Sequence, residues 1–286
     1  MRPNNFALTL LAAAIVLPPL TAATSVPSRS LISTSQDHSL VEADDCAHFH
    51  TSNVTSLPSS AHAEERRDIQ LEGSQPLRVR AANEGGVSVR GWDRPFARVT
   101  ICKSAMALSD AQAKSALGKI TIAVSSDEIM ATGPAADQTQ TWWVHMILQV
   151  PKTASLDVSA ANGGIAIRNM SGRVTASATN GGISLASCAG ESYLKTENGG
   201  ISLDKISGSV RAVTQNGPIS LKVREAPLTS LEASTEEQGE ILCNLKGCAD
   251  GLGNWTSNRK HLRIGSAVPQ IRLTSYSADI MIEQVR

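Results

Sequence analysis

Between residues 162 and 219 one phrase returns every eighteen residues: Asn162-Gly163-Gly164-Ile165, Asn180-Gly181-Gly182-Ile183, Asn198-Gly199-Gly200-Ile201 and Asn216-Gly217-Pro218-Ile219. A second glycine keeps the same phase at Gly172, Gly190 and Gly208. Repetition at a fixed period of this length marks stacked units, none of which can bury its apolar face alone. Inside each unit the apolar residues alternate, as Ile165/Ile167, Ile183/Leu185, Ile201/Leu203 and Ile219/Leu221 after the first corner. Val174/Ala176/Ala178 and Val210/Ala212 do the same after the second. Alternation is the strand pattern, so the unit is two short strands joined by two tight corners. A degenerate fifth copy, Gln238-Gly239-Glu240-Ile241-Leu242-Cys243, follows an insertion of four residues.

Two architectures satisfy this pattern. In an antiparallel meander each Asn-Gly would be a two-residue hairpin turn. In a single-stranded β-solenoid each eighteen-residue unit stacks on the last, and like residues meet like. Asn tolerates the left-handed backbone region and Gly enters it freely, so Asn-Gly-Gly is expected to form the corner. The solenoid accounts for more, because it puts Asn162, Asn180, Asn198, Asn216 and Gln238 in one column where amides can bond as a ladder. Gly163, Gly181, Gly199 and Gly217 then form the matching corner column. The left-handed hexapeptide coil shares the period but needs an apolar residue every sixth position, which Ser171 and Ser177 refuse. Fold class is therefore read as all-β, a β-helix-like stack with an N-terminal β-rich part carrying one short helix.

The remaining chain divides by composition. Residues 1–23 read as a secretory signal peptide, with Arg2, an apolar run from Ala7 to Leu17, and small Thr21-Ala22-Ala23. The run is shorter than the ~20 residues a membrane-spanning helix needs. Residues 24–64 are Ser/Thr-rich without a period and read as a disordered linker. His48 and His50 lie in it beside Asp44, Asp45 and Cys46, and a solvated tail is preferred there to a metal site, because such a segment fixes no ligand geometry. Residues 65–155 form the N-terminal β-rich part, with a turn at Asn83-Glu84-Gly85-Gly86. Its helix runs near 110–117, opened by Ser109-Asp110 and closed by Gly118 as a C-terminal cap. Residues 156–254 hold the repeat, and 255–286, alternating without Asn-Gly-Gly, are expected to cap its last unit.

Export makes the five cysteines candidates for disulfides. Cys188 and Cys243 occupy apolar repeat positions and read as buried thiols. Cys46 and Cys102 remain as the candidate bridged pair, by elimination.

The stretch Leu77–Asp93, the strand Trp143–Pro151 and the Asn-Gly-Gly run together resemble the bacterial putative-adhesin family, over residues 65–286. That resemblance implies an exported β-helical cell-envelope domain with an adhesive role, and it supplies no catalytic residues.

Charge and composition exclude other classes. Lys plus Arg and Asp plus Glu are 26 each, so no net field recruits nucleic acid. Aromatic residues make up 3% of the chain, leaving few platforms for stacking bases or sugars. Trp92, Trp142 and Trp143 are read as packing residues rather than a carbohydrate platform. Between Leu156 and Val223 the acids are Asp157, Glu191, Glu197 and Asp204, too scattered for the paired carboxylates of glycan cleavage. The counterparts of Asp204 are Arg168, Ala186 and Lys222, so no acidic row builds up for calcium. No cofactor or metal site is expected, and the chain reads as a non-enzyme. The expected function is an exported periplasmic or surface module that binds an envelope component such as a glycan, with no transmembrane span. A self-assembling structural scaffold is the alternative, and a polysaccharide-active β-helix enzyme the third, disfavoured reading.

Overall fold

The chain forms two units, Met1–Ser39 and Leu40–Arg286, and every described residue belongs to the second. The computed structural model describes Cys46 and residues 61–73, 76–81, 84–135, 139–224, 230–245, 248, 253–255, 259–265, 267–268 and 270–285. The expected signal peptide, most of the linker with His48 and His50, and Asn83 lie outside the described residues.

Strands dominate. They are β1 (Ala61–Glu72), β2 (Leu77–Arg80), β3 (Val87–Trp92) and β4 (Phe96–Ala107), followed by α1 (Asp110–Gly118). Then come β5 (Thr121–Val124), β6 (Glu128–Thr132), β7 (Gln140–Pro151), β8 (Leu156–Ala160) and β9 (Ile165–Arg168). The repeat continues as β10 (Val174–Ala178), β11 (Ile183–Ala186), β12 (Ser192–Thr196), β13 (Ile201–Asp204), β14 (Val210–Thr214) and β15 (Ile219–Arg224). The chain ends with β16 (Leu231–Thr235), β17 (Ile241–Cys243), β18 (Gly253–Trp255), β19 (His261–Ile264), β20 (Ile271–Ser275) and β21 (Ile280–Val285).

These strands make two large mixed sheets. The first has the order β1-β4-β7-β3-β9-β11-β13-β15-β21-β17, and the second β18-β19-β16-β20-β14-β12-β10-β8-β2-β6-β5. Each repeat gives one strand to each sheet. Copies pair in parallel with no slip: Ile183 lies between Ile165 and Ile201, and Ala176 between Val158 and Leu194. The alternating residues turn inward, so Val158, Ala176, Leu194 and Ala212 from one sheet and Ile167, Leu185, Leu203 and Leu221 from the other join one buried core.

The parallel stack is longer than the sequence repeat. Leu77 pairs with Leu156 and Val87 with Ile165, so β2 and β3 form a tier of the same kind before the first Asn-Gly-Gly copy. The pair β6 and β7 stacks on the outside of that tier in turn. Residue 156 is therefore not a structural boundary, and β1 starts at Ala61, inside the stretch read as linker. Antiparallel strands finish this end, β4 and β1 on the first sheet and β5 on the second. Helix α1 packs its buried Ala113 and Ala116 against β4, β1 and β7. Ser109 accepts from the Gln112 N–H as its N-cap, while Gly118 is the last helical residue and Lys119 caps with ordinary right-handed backbone.

The C-terminal end corrects the expected cap. Ile271 pairs with Val210 and Ile280 with Ile219, so β20 and β21 lie directly on the fourth copy. The degenerate fifth copy, β16 and β17, pairs with the outer side of β20 and β21. Among the described strands, β19 and β18, antiparallel on the second sheet, lie beyond it. Residues 271–285 are inserted inside the stack rather than closing it.

The corner chemistry also differs from expectation. Among the described residues the left-handed non-glycine positions are Asn169, Ser187, Lys205 and Arg259, whereas Gly163, Gly181, Gly199 and Gly217 have no positive φ. Glycine is required at the Asn-Gly-Gly corner by close approach. A Cβ on Gly181 would overlap the carbonyl oxygen of Gly163, and one on Gly199 that of Gly181. The second glycine is less constrained: a Cβ on Gly182 would lie 3.2 Å from the Gly200 oxygen, and Pro218 takes the equivalent place without breaking register. Buried hydroxyls brace the same corner. Thr196 Oγ1 donates to Gly181 O at 2.8 Å, Thr214 Oγ1 to Gly199 O at 2.9 Å and Ser275 Oγ to Gly217 O at 3.1 Å.

One inward position is misfitted. Ser192 lies between Val174 and Val210, 3% exposed, and its Oγ has no hydrogen-bond partner. A buried polar atom without a partner costs about 1–3 kcal/mol. Ser192→Val should therefore raise unfolding stability by about 1–2 kcal/mol, read from urea midpoints; a loss of stability would show that the column has no room for the branch.

Candidate functional site

The singled-out asparagines meet at one exposed corner of the stack. Asn180 Nδ2 donates to Asn162 Oδ1 at 2.7 Å, Asn198 to Asn180 at 2.8 Å and Asn216 to Asn198 at 2.8 Å. The row extends at one end to Glu84, which accepts from Asn162 Nδ2 at 3.0 Å. At the other end Ser277 Oγ donates to Asn216 Oδ1 at 3.1 Å. Gln238 was expected to follow Asn216; the inserted β20 and β21 put Ser277 there instead. Each amide spends a donor and an acceptor on its neighbours, so the column braces the corner.

Cys46 and Cys102 form a disulfide, which ties Cys46 to the outward side of β4. Cys243 was read as a free buried thiol and is instead bonded to Cys248. Cys188 is free and buried, and desolvation pushes its thiol pKa up, which makes it a poor nucleophile. The tryptophans separate in role. Trp142 is buried, with Nε1 donating to Pro134 O at 2.6 Å. Trp143 stacks on His62 with ring centroids 5.7 Å apart. Trp92 lies edge-to-face with Phe96 at 4.9 Å.

The acids stay apart. Asp157 is held by Arg80 at 2.7 Å and Glu191 by Arg173 at 2.6 Å, while Asp204 lies on the other sheet, 4.0 Å from Arg224. Among the described residues no three His, Cys, Asp or Glu side chains group as metal ligands.

The outer face of the second sheet carries the strongest binding signature. Its registers place Arg78, Asp157, Thr175, Tyr193, Arg211 and Arg272 in one row across neighbouring strands. Ser159, Ser177, Lys195 and Val213 form the row beside it. The charged groups at the ends of the face are paired. Arg78 pairs with Asp127, and Arg80 with Asp157, on one side. On the other, Glu232 receives His261 at 3.4 Å, Arg272 at 3.5 Å and Arg263 at 3.9 Å. In the middle, Lys195 and Arg211 are exposed and make no ion pair among the described residues, flanking a Tyr193 ring that is 42% exposed. A ring, two uncommitted cations and a border of hydroxyls on a hydrogen-bonded sheet suit a ligand with both apolar faces and acidic groups. None of these three residues stands out by motif or spacing in the sequence. The signal available was Tyr193 itself, the lone aromatic between Leu156 and Val223.

No family model matches the chain, and no curated protein does. Among solved structures it is similar to a putative cell adhesion protein from Clostridium sporogenes, at 10% identity and a TM-score of 0.39, over 79% of this chain and 100% of that one. It is similar to a putative adhesin from Bacteroides fragilis at 11% identity and a TM-score of 0.40, over 78% and 97%. The chain resembles putative adhesins. A putative lipid binding protein from Parabacteroides distasonis is similar at 11% identity and a TM-score of 0.26, over 77% and 97%. At these scores the likeness transfers no ligand, and the outward side chains of this chain decide what it can bind.

On the first sheet, His145 lies against Ser88, with Nε2 and Oγ 3.1 Å apart. Desolvation pushes its pKa down from 6.5 to about 3. Between those values the unfolded chain binds the proton and the folded chain does not, so this residue makes stability fall as pH drops below about 6.5. His145→Gln should remove up to about 1.4 kcal/mol per pH unit of that slope. Denaturation of both proteins between pH ~6.5 and ~4 measures it; parallel curves would show that His145 protonates freely in the fold.

Proposed function

We propose that the chain is an exported, non-catalytic binding module whose paired sheets are the two broad faces of a flattened β-solenoid. The observation that carries this is the Tyr193, Lys195 and Arg211 cluster, whose two cations have no ion-pair partner among the described residues on a face whose other charged groups are paired. Its ligand is an acidic envelope glycan: the ring takes a sugar face, and the cations take carboxylates along the chain. Export is supported by the secretory character of residues 1–23 and by two disulfides, which persist in oxidising compartments. No described helix is long and apolar enough to cross a membrane.

Action as a separate module, rather than as a self-assembling scaffold, is supported by the sheet edges. Strand β1 carries Glu64, Glu65, Arg66, Arg67 and Asp68, while β5, β17 and β18 span four, three and three residues. Charged or short edges resist pairing with another chain.

Titration with an acidic polysaccharide such as alginate tests the reading. Tyr193→Ala and Arg211→Ala should each weaken binding about tenfold and leave the melting temperature unchanged. Full retention of binding in the double variant would remove this face from the function.

A further inference from the structure

A second, separate site lies on the opposite sheet. The end of β3 and the corner after β9 border an open cleft of about 540 Å³, lined by Arg90, Trp92, Asp93, Gln149, Lys152 and Asn169. Its shape depends on two backbone features. A Cβ on Gly91 would overlap the carbonyl oxygen of Asn169, and Asn169 itself holds left-handed backbone at φ 58°. Only a glycine in β3 lets the corner come this close.

The charge around the cleft is concentrated by register. Arg98, Gln149, Arg90 and Arg168 are successive partners on β4, β7, β3 and β9. At ~4.8 Å between strands, three arginines fall within about 15 Å of one another. Among the described residues, Arg90, Arg94 and Arg98 have no carboxylate within ion-pair distance, and Lys152 is bonded to Asp93 at 2.5 Å. Arg94 and Arg98 instead lie over the Trp92 ring, 5.3 and 5.6 Å from its centroid. The indole is held by its own Nε1 donating to Phe96 O at 2.9 Å. A guanidinium stacked on a ring keeps its N–H edge available for an oxyanion. Like charges this close repel one another, and a multivalent anion offsets that repulsion where one carboxylate would not.

We propose that this cleft binds a phosphoryl group, with Arg90 and Lys152 in its lining as donors and Arg98, stacked on Trp92 beside it, adding positive charge at its border. A phosphate monoester brings up to two negative charges and three acceptor oxygens, which matches a cleft lined by Arg90 of β3 and Lys152 after β7 with the β4 arginines beside it. The ligand is a phosphorylated envelope component, either a soluble phosphorylated saccharide or a lipid headgroup. This site shares no residue with the Tyr193 face, so either stands if the other fails.

Calorimetric titration of the full chain with inorganic phosphate at constant ionic strength tests the proposal. Saturable binding is expected, weakened about tenfold or more by Arg90→Gln and by Arg98→Gln, and unchanged by Tyr193→Ala. Lys152→Gln, an exposed position, is expected to weaken it as well and serves if an arginine variant unfolds. Glycerol phosphate, and phosphatidylcholine vesicles containing phosphatidic acid, then separate the two sources: binding of the first alone assigns a soluble ligand, and binding of the vesicles a lipid headgroup. Phosphate binding no better than chloride, or undiminished in folded Arg90→Gln, would overturn the site.

Discussion

The contact on which the rest depends is the nesting of one glycine corner against the next. At Gly181 and Gly199 the backbone of one tier fills the space a Cβ would need against the carbonyl of the tier before it. Gly172, Gly190 and Gly208 do the same at the opposite corner. With both corners pinned, a strand cannot slip by a residue without sending its inward side chains to solvent. The amide column and the buried threonine hydroxyls then fasten a register that sterics have already chosen. Removing Thr196 or Asn198 side-chain bonds would weaken this corner, whereas enlarging Gly181 would force the tiers apart.

Both ends depart from chain order in the same way. After β2 and β3 the chain travels outward through β4 and α1, returns as the tier β6 and β7, and only then re-enters the stack at β8. After β15 it again goes outward, to β16 and β17, and comes back to fill the gap with β20 and β21. Each end tier is thus pinned by strands distant in sequence, and the apolar faces of the last tiers are not left open. The disulfides sit in these same outer regions, Cys46–Cys102 on β4 and Cys243–Cys248 after β17.

What the sequence made legible was local and repeated. Ile183, Leu185, Ala176 and Ala212 announce buried strand positions by simple alternation, and the period announces stacking. The reason for glycine is not legible in the sequence, because a close backbone approach and a left-handed turn call for the same residue. The true left-handed column, Asn169, Ser187 and Lys205, shares no residue type and so gives no pattern, although each non-glycine there costs ~1–3 kcal/mol. The inserted tier was illegible for a related reason. Ser275 and Ser277 do the work of Thr214 and Asn216 with shorter side chains, and no Asn-Gly-Gly phrase marks them. The candidate sites were harder still. Arg90, Arg98 and Arg168 are scattered along the chain, and only pairing across β4, β7, β3 and β9 makes them neighbours.

The outward rows of both faces follow from this order, since each is a consequence of which tier lies beside which. The most direct measurement is therefore of tier order. Cysteines placed in pairs at Ser220 and Met281, which face each other across β15 and β21, or at Ser220 and Leu242, which β21 separates, can be oxidised and their bonds mapped. Neighbouring parallel strands bring Cα atoms within disulfide range, and strands two apart do not. The account predicts a bond between positions 220 and 281 and none between 220 and 242. A bond between 220 and 242 would contradict it, by returning the fifth copy to its place in the chain.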